Sequence, residues 1–397
     1  MKVAIVGAGI GGLCLAQGLR RRGIDVRIYE RDAALDSRGQ GYRLHLDAGP
    51  ALHACLPPDL YELCVATCGR PSTRMTVIRG NLRVLKSFEL GAPADPTDPD
   101  TLNTSVNRHT LREILAARLD DALEFGRACT GFEQEPDSVR LTFADGSSEQ
   151  ADLLVAADGV NSPIRRHYLP HAEVLDTGTV CLYGRTPLTE RTRPLIPDYL
   201  WHGFTAVAGP RVGMAAGVLE FREPPEHAAA RIAPDVKLSA VPGYLMWALT
   251  ARARRFAGPL GGANQSTDPV ALHAVAVDTI RRWHRDLRGL VEAASIEETT
   301  LTRIRTAVPI GAWPASRVTL LGDAIHAMSP SRGSGANTAL RDAALLTREI
   351  DAAARGHKPL IQAVEDYERA MVDYGFAAVR AASKSSALDR LAGKLGA

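Results

Sequence analysis

The residues of this chain with types and spacing suited to chemistry are glycines and carboxylates placed where apolar runs end. Gly7, Gly9 and Gly12 stand as G-x-G-x-x-G directly after the apolar run 2–6. Residues 13–22 then carry a helical pattern that stops at Gly23. Glu30, with Arg31 beside it, closes a second apolar run about 20 residues beyond the glycines. In such a unit the first glycine permits a tight turn, the second lets backbone approach a pyrophosphate, and the third lets helix and strand pack closely. The helix start offers unpaired N–H groups and a partial positive charge to phosphates. A carboxylate at the position of Glu30 can accept hydrogen bonds from a ribose diol. The unit therefore points to a bound dinucleotide.

Two later junctions repeat the arrangement. Asp158 and Gly159 close the apolar run 152–157, and Asn161, Ser162 and Pro163 follow as a helix opening. Gly322 and Asp323 close the run 318–321, followed by Pro330, Gly333, Gly335 and Asn337 at the head of a long helix that carries Asp342. A strand-end carboxylate followed by glycines that open a helix can bind a polyol and then a planar polar ring. Tandem glycines bring N–H groups within reach of ring carbonyls. The helix end adds roughly 1–2 kcal/mol for a partly buried anion.

Other polar residues read more plainly. Arg108 lies in the first turn of a helix expected over 107–119, where the dipole disfavours a cation, so a bound anion or ring is one candidate partner for it and a surface ion pair is the alternative. His45 reads as a strand histidine at a pocket rim, on the polar face with Arg43 and Asp47, opposite Tyr42, Leu44 and Leu46. His326 reads as structural. Arg281, Arg282, Arg285 and Arg288 give an expected helix over 271–294 a basic, solvated face without the interleaved aromatics of a nucleic-acid site. The six cysteines are scattered, and Cys64 and Cys68 lack the second pair a zinc site needs. No catalytic side chain is assigned and no metal is expected.

The elements that must position these residues follow from periodicity. Helix is expected over 51–68 and from 359 to about 391. Strands are expected over 74–78 and 82–88, joined at Arg79-Gly80-Asn81, and a surface loop over 92–100. Longer strands at 179–185, 199–207, 212–221 and 244–251 suggest a mixed or antiparallel sheet. The segment from Arg38 to Asp47 alternates from Tyr42 onward. The expected class is α/β, a Rossmann-like domain with a second sheet domain and a long C-terminal helix. A net charge of +2 implies no general attraction to nucleic acid or membrane. No run approaches a membrane span, and the start does not read as a signal peptide, so a cytoplasmic protein is expected.

The ordered set of three junctions resembles the FAD-dependent aromatic hydroxylases of the para-hydroxybenzoate hydroxylase type, with their polyketide-tailoring and tetracycline-modifying relatives. The likeness runs over nearly the full chain. It implies that Gly7, Gly9, Gly12, Glu30 and Arg31 hold the ADP part of FAD. Asp158 and Gly159, with Ser162 and Arg165, match the DG motif. Gly322, Asp323, Pro330, Gly333, Gly335 and Asn337 match the GD motif, whose aspartate binds flavin hydroxyls while the following loop lies along the isoalloxazine. Arg108, in an Arg-x-x-Leu setting, matches a flavin-contacting arginine. The implied cofactor is non-covalent FAD, reduced by transient NAD(P)H, with O₂ activated as a flavin C4a-hydroperoxide and delivered to a small aromatic or polycyclic substrate of secondary metabolism.

The implied FAD domain comprises 1–72, 103–173 and 304–358; the substrate domain comprises the hairpin 73–102 and 174–303; 359–397 is the terminal helix. Tyr183, Trp201, Phe204, Met214 and Trp247 are the expected substrate wall. A monomer or weak dimer is expected, without nucleic acid or membrane. Epoxidation, Baeyer–Villiger insertion or rearrangement on the same flavin, or a non-catalytic binding protein on this fold, are the alternatives.

Overall fold

The computed structural model describes residues 1–37, 41–91, 95, 97–209, 211–257 and 268–394, with side chains described as far as 384. Of the expected features, Arg38 to Gln40 and part of the loop 92–100 lie outside these residues. The chain opens with strand β1 (Lys2–Val6), helix α1 (Ile10–Arg20) and β2 (Asp25–Tyr29). Next come β3 (Arg43–Leu46), α2 (Gly49–Cys55), α3 (Pro58–Ala66), β4 (Arg74–Arg79) and β5 (Val84–Glu89). β6 (Thr104–Asn107) runs into α4 (Arg108–Ala116), followed by β7 (Leu123–Glu124), β8 (Cys129–Gln134), β9 (Val139–Phe143), β10 (Ser148–Ala151), β11 (Leu153–Ala156) and α5 (Pro163–Tyr168).

The second half begins with the long β12 (Val174–Pro187), then α6 (Asp198–Trp201), β13 (Gly203–Gly209), β14 (Val212–Leu219), α7 (Pro225–Ile232) and β15 (Tyr244–Arg252). Helices α8 (Arg254–Ala257), α9 (Pro269–Thr279) and α10 (Arg285–Glu292) precede β16 (Thr300–Ala307) and β17 (Val318–Leu320). The chain closes on α11 (Asp323–His326), α12 (Ser334–Ala354) and α13 (Leu360–Lys394).

One five-stranded sheet has the order β17-β11-β1-β2-β7, and its neighbours pair in parallel. Parallel strands end at the same edge. Glu30, the glycine loop, Asp158 and Gly322 are thereby brought side by side, though far apart in sequence. α1 and α12 pack on each other beside the sheet, with Leu13, Leu15, Leu340 and Leu346 inaccessible in a common core. A seven-stranded sheet has the order β16-β12-β15-β14-β13-β4-β5, antiparallel except for the β13–β4 pair. Its Leu182, Val207, Met214, Ala216 and Trp247 pack with Leu272, Val275, Leu287 and Leu290 of α9 and α10. Its other face looks toward the nucleotide sheet.

Three expected elements need correction. The helix over 51–68 is two helices, because Pro57 and Pro58 lack N–H groups and Pro58 opens α3. The helix over 271–294 is also two. Its break carries Trp283, whose ring packs where a Cβ on Gly80 or Gly209 would stand, and His284 caps α10. The four arginines therefore do not share one helical face: Arg281 pairs with Asp278 and Arg285 with Asp286. The strand expected from Tyr199 starts at Gly203, after the short α6. Among the described residues no helix is long and apolar enough to cross a membrane.

The first turn has two kinds of glycine. Gly7 has φ +109°, and a Cβ there would sit 2.3 Å from the Ala157 carbonyl oxygen. A Cβ on Gly9 meets nothing within 4 Å. Gly7→Ala should therefore lose about 1–3 kcal/mol through its backbone conformation, with the overlap on Ala157 adding to that. Gly9→Ala should stay within about 0.5 kcal/mol of the parent. Urea unfolding of both variants checks the contrast; equal losses would contradict it.

Candidate active site

The glycine loop is pinned from two sides. Glu30, closing β2, accepts hydrogen bonds from the Ala8 N–H (2.8 Å) and the Asp32 N–H (3.0 Å). Arg112 donates to the Ala8 carbonyl at 3.0 Å and to the Leu35 carbonyl at 2.8 Å. Glu30 thus shapes the loop as well as facing the site, and each of its oxygens keeps a lone pair for a further donor. Arg31 stands exposed beside it. Arg112 is a site-forming residue the sequence did not reveal; its fork matches two carbonyls that come together only in the fold.

The second junction is tied to the third. The Ser162 hydroxyl caps α5 by accepting from the Arg165 N–H at 2.8 Å. Arg165 is buried and donates to the carbonyls of Val160 (3.1 Å) and Ala324 (2.9 Å), so it joins the Asp158–Gly159 turn to α11. Both carboxylate oxygens of Asp158 are sealed without a hydrogen-bond partner. Burial pushes the Asp158 carboxyl up to about 6, with the nearby Arg165 cation opposing.

The third junction rests on Asp342. One oxygen of this inaccessible carboxylate accepts from the Gly322 N–H (2.9 Å) and from His326 Nε2 (2.6 Å); the other accepts from the Tyr374 hydroxyl (2.6 Å). Burial pulls the His326 imidazole down, but Asp342 more than reverses that and its pKa is raised. This pair agrees with a structural His326. Gly322 has φ +65°. The Asn337 amide is committed to backbone: it donates to the carbonyls of His45 (3.0 Å) and Gly333 (3.2 Å) and accepts from the Asp47 N–H (3.1 Å). Its side chain clamps β3 to the head of α12 and leaves only its backbone to face a ligand. His45 lies at the rim and pairs with Asp47 at 3.3 Å. Pro330 is exposed, Gly333 has φ +65°, and space for a Cβ exists at Gly335.

Asp323 differs from Asp342. Its side chain is exposed, yet the protein walls around it raise its pKa by desolvation, with His326 and Arg108 opposing. It lines a cleft. Arg108 lies over the Tyr42 ring (5.7 Å), and Tyr42 stacks on Tyr183 of β12 (5.1 Å between centroids). Burial, with Asp323 contributing, raises the Tyr42 phenol. The junctions therefore reach the open face of the seven-stranded sheet through Arg108, Tyr42 and Tyr183.

Cross-strand register sorts the five expected wall residues. Tyr183 pairs with Ala248, and Phe204 pairs with Gly217, on the face toward the junctions. Met214 and Trp247 point the other way, into the cluster under α9 and α10, and Trp201 packs there too. These three are core rather than wall. The Trp247 ring lies where a Cβ on Gly184 would be, which is why a glycine stands opposite it. The open face is floored by Ala206, Ala208, Gly213, Ala215, Gly217 and Ala248. A cavity of about 570 Å³ between α9 and α10, lined by His273, Val277, Arg281 and Arg288, is a surface groove on the opposite side of this sheet.

Both helices aimed at the cleft begin at glycines, Gly9 and Gly333, without a side-chain cap. Their first N–H groups therefore lack the usual acceptor. With the open space at Gly9 and the exposed Asp323, the residues present fit an extended dinucleotide.

Comparison with known proteins agrees. Residues 265–380 match a family model described as FAD binding domain, and 5–64 one described as NAD(P)-binding Rossmann-like domain. A crystal structure from Photorhabdus luminescens subsp. laumondii TTO1, described as an FAD containing monooxygenase, is 31% identical with a TM-score of 0.80, covering 99% of this chain and 98% of that one. The aurachin C monooxygenase/isomerase of Stigmatella aurantiaca is 30% identical over 88% of this chain and 80% of its own length. This chain belongs to the FAD-dependent monooxygenases. FAD is the cofactor that membership brings. A further relative, the dual O-methyltransferase/FAD-dependent monooxygenase elcB of Phaeosphaeria nodorum, is 34% identical over 92% of this chain, which spans only 42% of elcB.

The buried Asp158 yields a pH test. Its folded pKa of about 6 lies above the ordinary 3.8, so its ionisation opposes folding and stability falls as pH rises between those values. Asp158→Asn removes that ionisation. Without cofactor, the variant should be more stable than the parent at neutral pH by on the order of 1–3 kcal/mol. The gap should close as pH falls below about 4. Chemical unfolding across this range measures it; a variant less stable at neutral pH would contradict the assignment.

Proposed function

We propose that this chain is a monooxygenase that uses FAD, NAD(P)H and O₂ to hydroxylate a small aromatic or polycyclic molecule. The observation that carries this reading is the placement of Asp323, Arg108 and the uncapped start of α12 at one cleft facing the Tyr183 side of the sheet. In this reading residues 1–72, 103–173 and 304–358 form the FAD domain, and 73–102 with 174–303 form the substrate domain. Gly7, Gly9 and Gly12 admit the pyrophosphate, Glu30 and Arg31 the adenosine end, and Asp323 the flavin hydroxyls. Asp158 and Gly159 border the cofactor at the neighbouring turn, while the loop from Pro330 through Gly333 and Gly335 to the Asn337 backbone lies along the ring.

FAD supplies oxygen activation when bound, and the chain's own side chains need only orient and shield. Arg108 holds its place over Tyr42 and can face the ring edge. Tyr42, Tyr183 and Phe204 are large apolar groups able to stack on a planar molecule and keep water out. Asn337 and Arg165 act as positioning residues, holding the loop and the turn.

Asp323→Ala should lose charge-assisted hydrogen bonds worth about 1.5–3 kcal/mol, weakening FAD roughly ten- to a hundredfold. Gly9→Ala should keep parental stability yet lose FAD, because the added methyl enters the cofactor's space. Flavin released per mole of purified protein reads both; full occupancy in either variant overturns that residue's role. For the reaction, a product carrying one oxygen from labelled O₂ supports the proposal. Oxygen from labelled water, with O₂ not required, would refute it.

A further inference from the structure

Arg43 is a buried cation whose free edge lies on the substrate-facing surface. It opens β3, and its side chain is 6% exposed. The guanidinium lies flat over Gly217 of β14: a Cβ there would stand 3.1 Å from Arg43 Cζ and 3.2 Å from Nη1. Nε donates to the Val218 carbonyl at 3.2 Å. No carboxylate among the described residues pairs with Arg43, and neither terminal nitrogen has a partner there. Those nitrogens keep a little accessible surface and are not sealed off. Burial lowers the pKa to about 10, with Tyr244 opposing, so the group stays cationic at neutral pH. Buried arginines are ordinarily paired.

The neighbouring cations are placed differently. Arg185 is paired with Glu298 and donates to the Gly41 carbonyl. Arg108 has Asp323 in its field. The Tyr244 hydroxyl is held by the Asn107 amide at 3.0 Å. Arg43 stands at the end of the floor made by Ala206, Ala215 and Ala248, in the row that reads Phe204, Gly217, Met246 across three strands. The small floor leaves a flat slot, and the cation closes one end of it.

Resting on the monooxygenase reading above, we infer that Arg43 anchors an oxyanion of the substrate, a carboxylate or an acidic phenol or enol carried on a flat ring. With Nε committed to Val218, the two terminal nitrogens form the free edge of the guanidinium fork, which suits two oxygens of one acidic group. The glycine loop belongs to the other sheet, so the pyrophosphate and this oxyanion have separate partners.

The test uses 2-naphthoate and its neutral counterpart 2-naphthamide, titrated by calorimetry into the FAD-loaded protein, with FAD content measured separately. The wild type should bind naphthoate at least about tenfold more tightly than naphthamide, and Arg43→Met should erase that preference with FAD content unchanged. Arg43→Lys should retain part of it. If the substitutions prevent folding, the wild-type preference alone decides. Equal affinities, no saturable naphthoate binding, or a preference that survives Arg43→Met overturns the inference. A protein that holds no FAD overturns the monooxygenase reading instead.

Discussion

The carboxylate of Asp342 is the interaction on which the rest of this site depends. It is inaccessible, it lies on α12, and it accepts from three elements: the Gly322 N–H at the end of β17, His326 of α11 and Tyr374 of α13. A buried carboxylate is tolerated only when its lone pairs are satisfied. Here the partners that satisfy it are the parts that must be held in register. Gly322 keeps its left-handed turn, Asp323 is thrown outward into the cleft, and α13 closes over the back.

The remaining ties extend that fixed point outward. Arg165 carries the position of α11 across to the Asp158 turn, and Gly7 abuts the same turn so closely that no side chain fits. Asn337 carries the head of α12 to β3, whose first residue is Arg43. Side chains committed to backbone in this way give the site rigidity and leave a small set of groups unspent. These are Asp323, Arg108, the uncapped helix starts and the free edge of Arg43, and they are the groups a cofactor and a substrate would meet.

Much of the nucleotide half could be read from sequence because its requirements are local. Gly7 and Gly12 are demanded by backbone a few residues away or by the adjacent strand, and Glu30 sits where β2 must end. The substrate half could not be read as well. Strand alternation tells which residues share a face but not which face meets α9 and α10, so alternation alone does not separate Met214 and Trp247, which are core, from the wall. The break before α10 depends on Trp283 filling space beside Gly80 and Gly209, contacts distant in sequence. Arg43 alternated with the polar residues His45 and Asp47, yet the short β3 buries it while leaving His45 at the rim. The role of Asp342 is not legible in the sequence, because its three partners come from separate elements that meet only in the fold.

The most direct measurement is the paired determination of stability and flavin content for Asp342→Asn, a nearly isosteric change that removes the charge. The account predicts a loss of about 3–5 kcal/mol as the buried His326 loses its counter-charge. It also predicts weakened FAD binding, as the Gly322 turn is released and Asp323 loses its placement. A variant with parental stability and full FAD occupancy would contradict it.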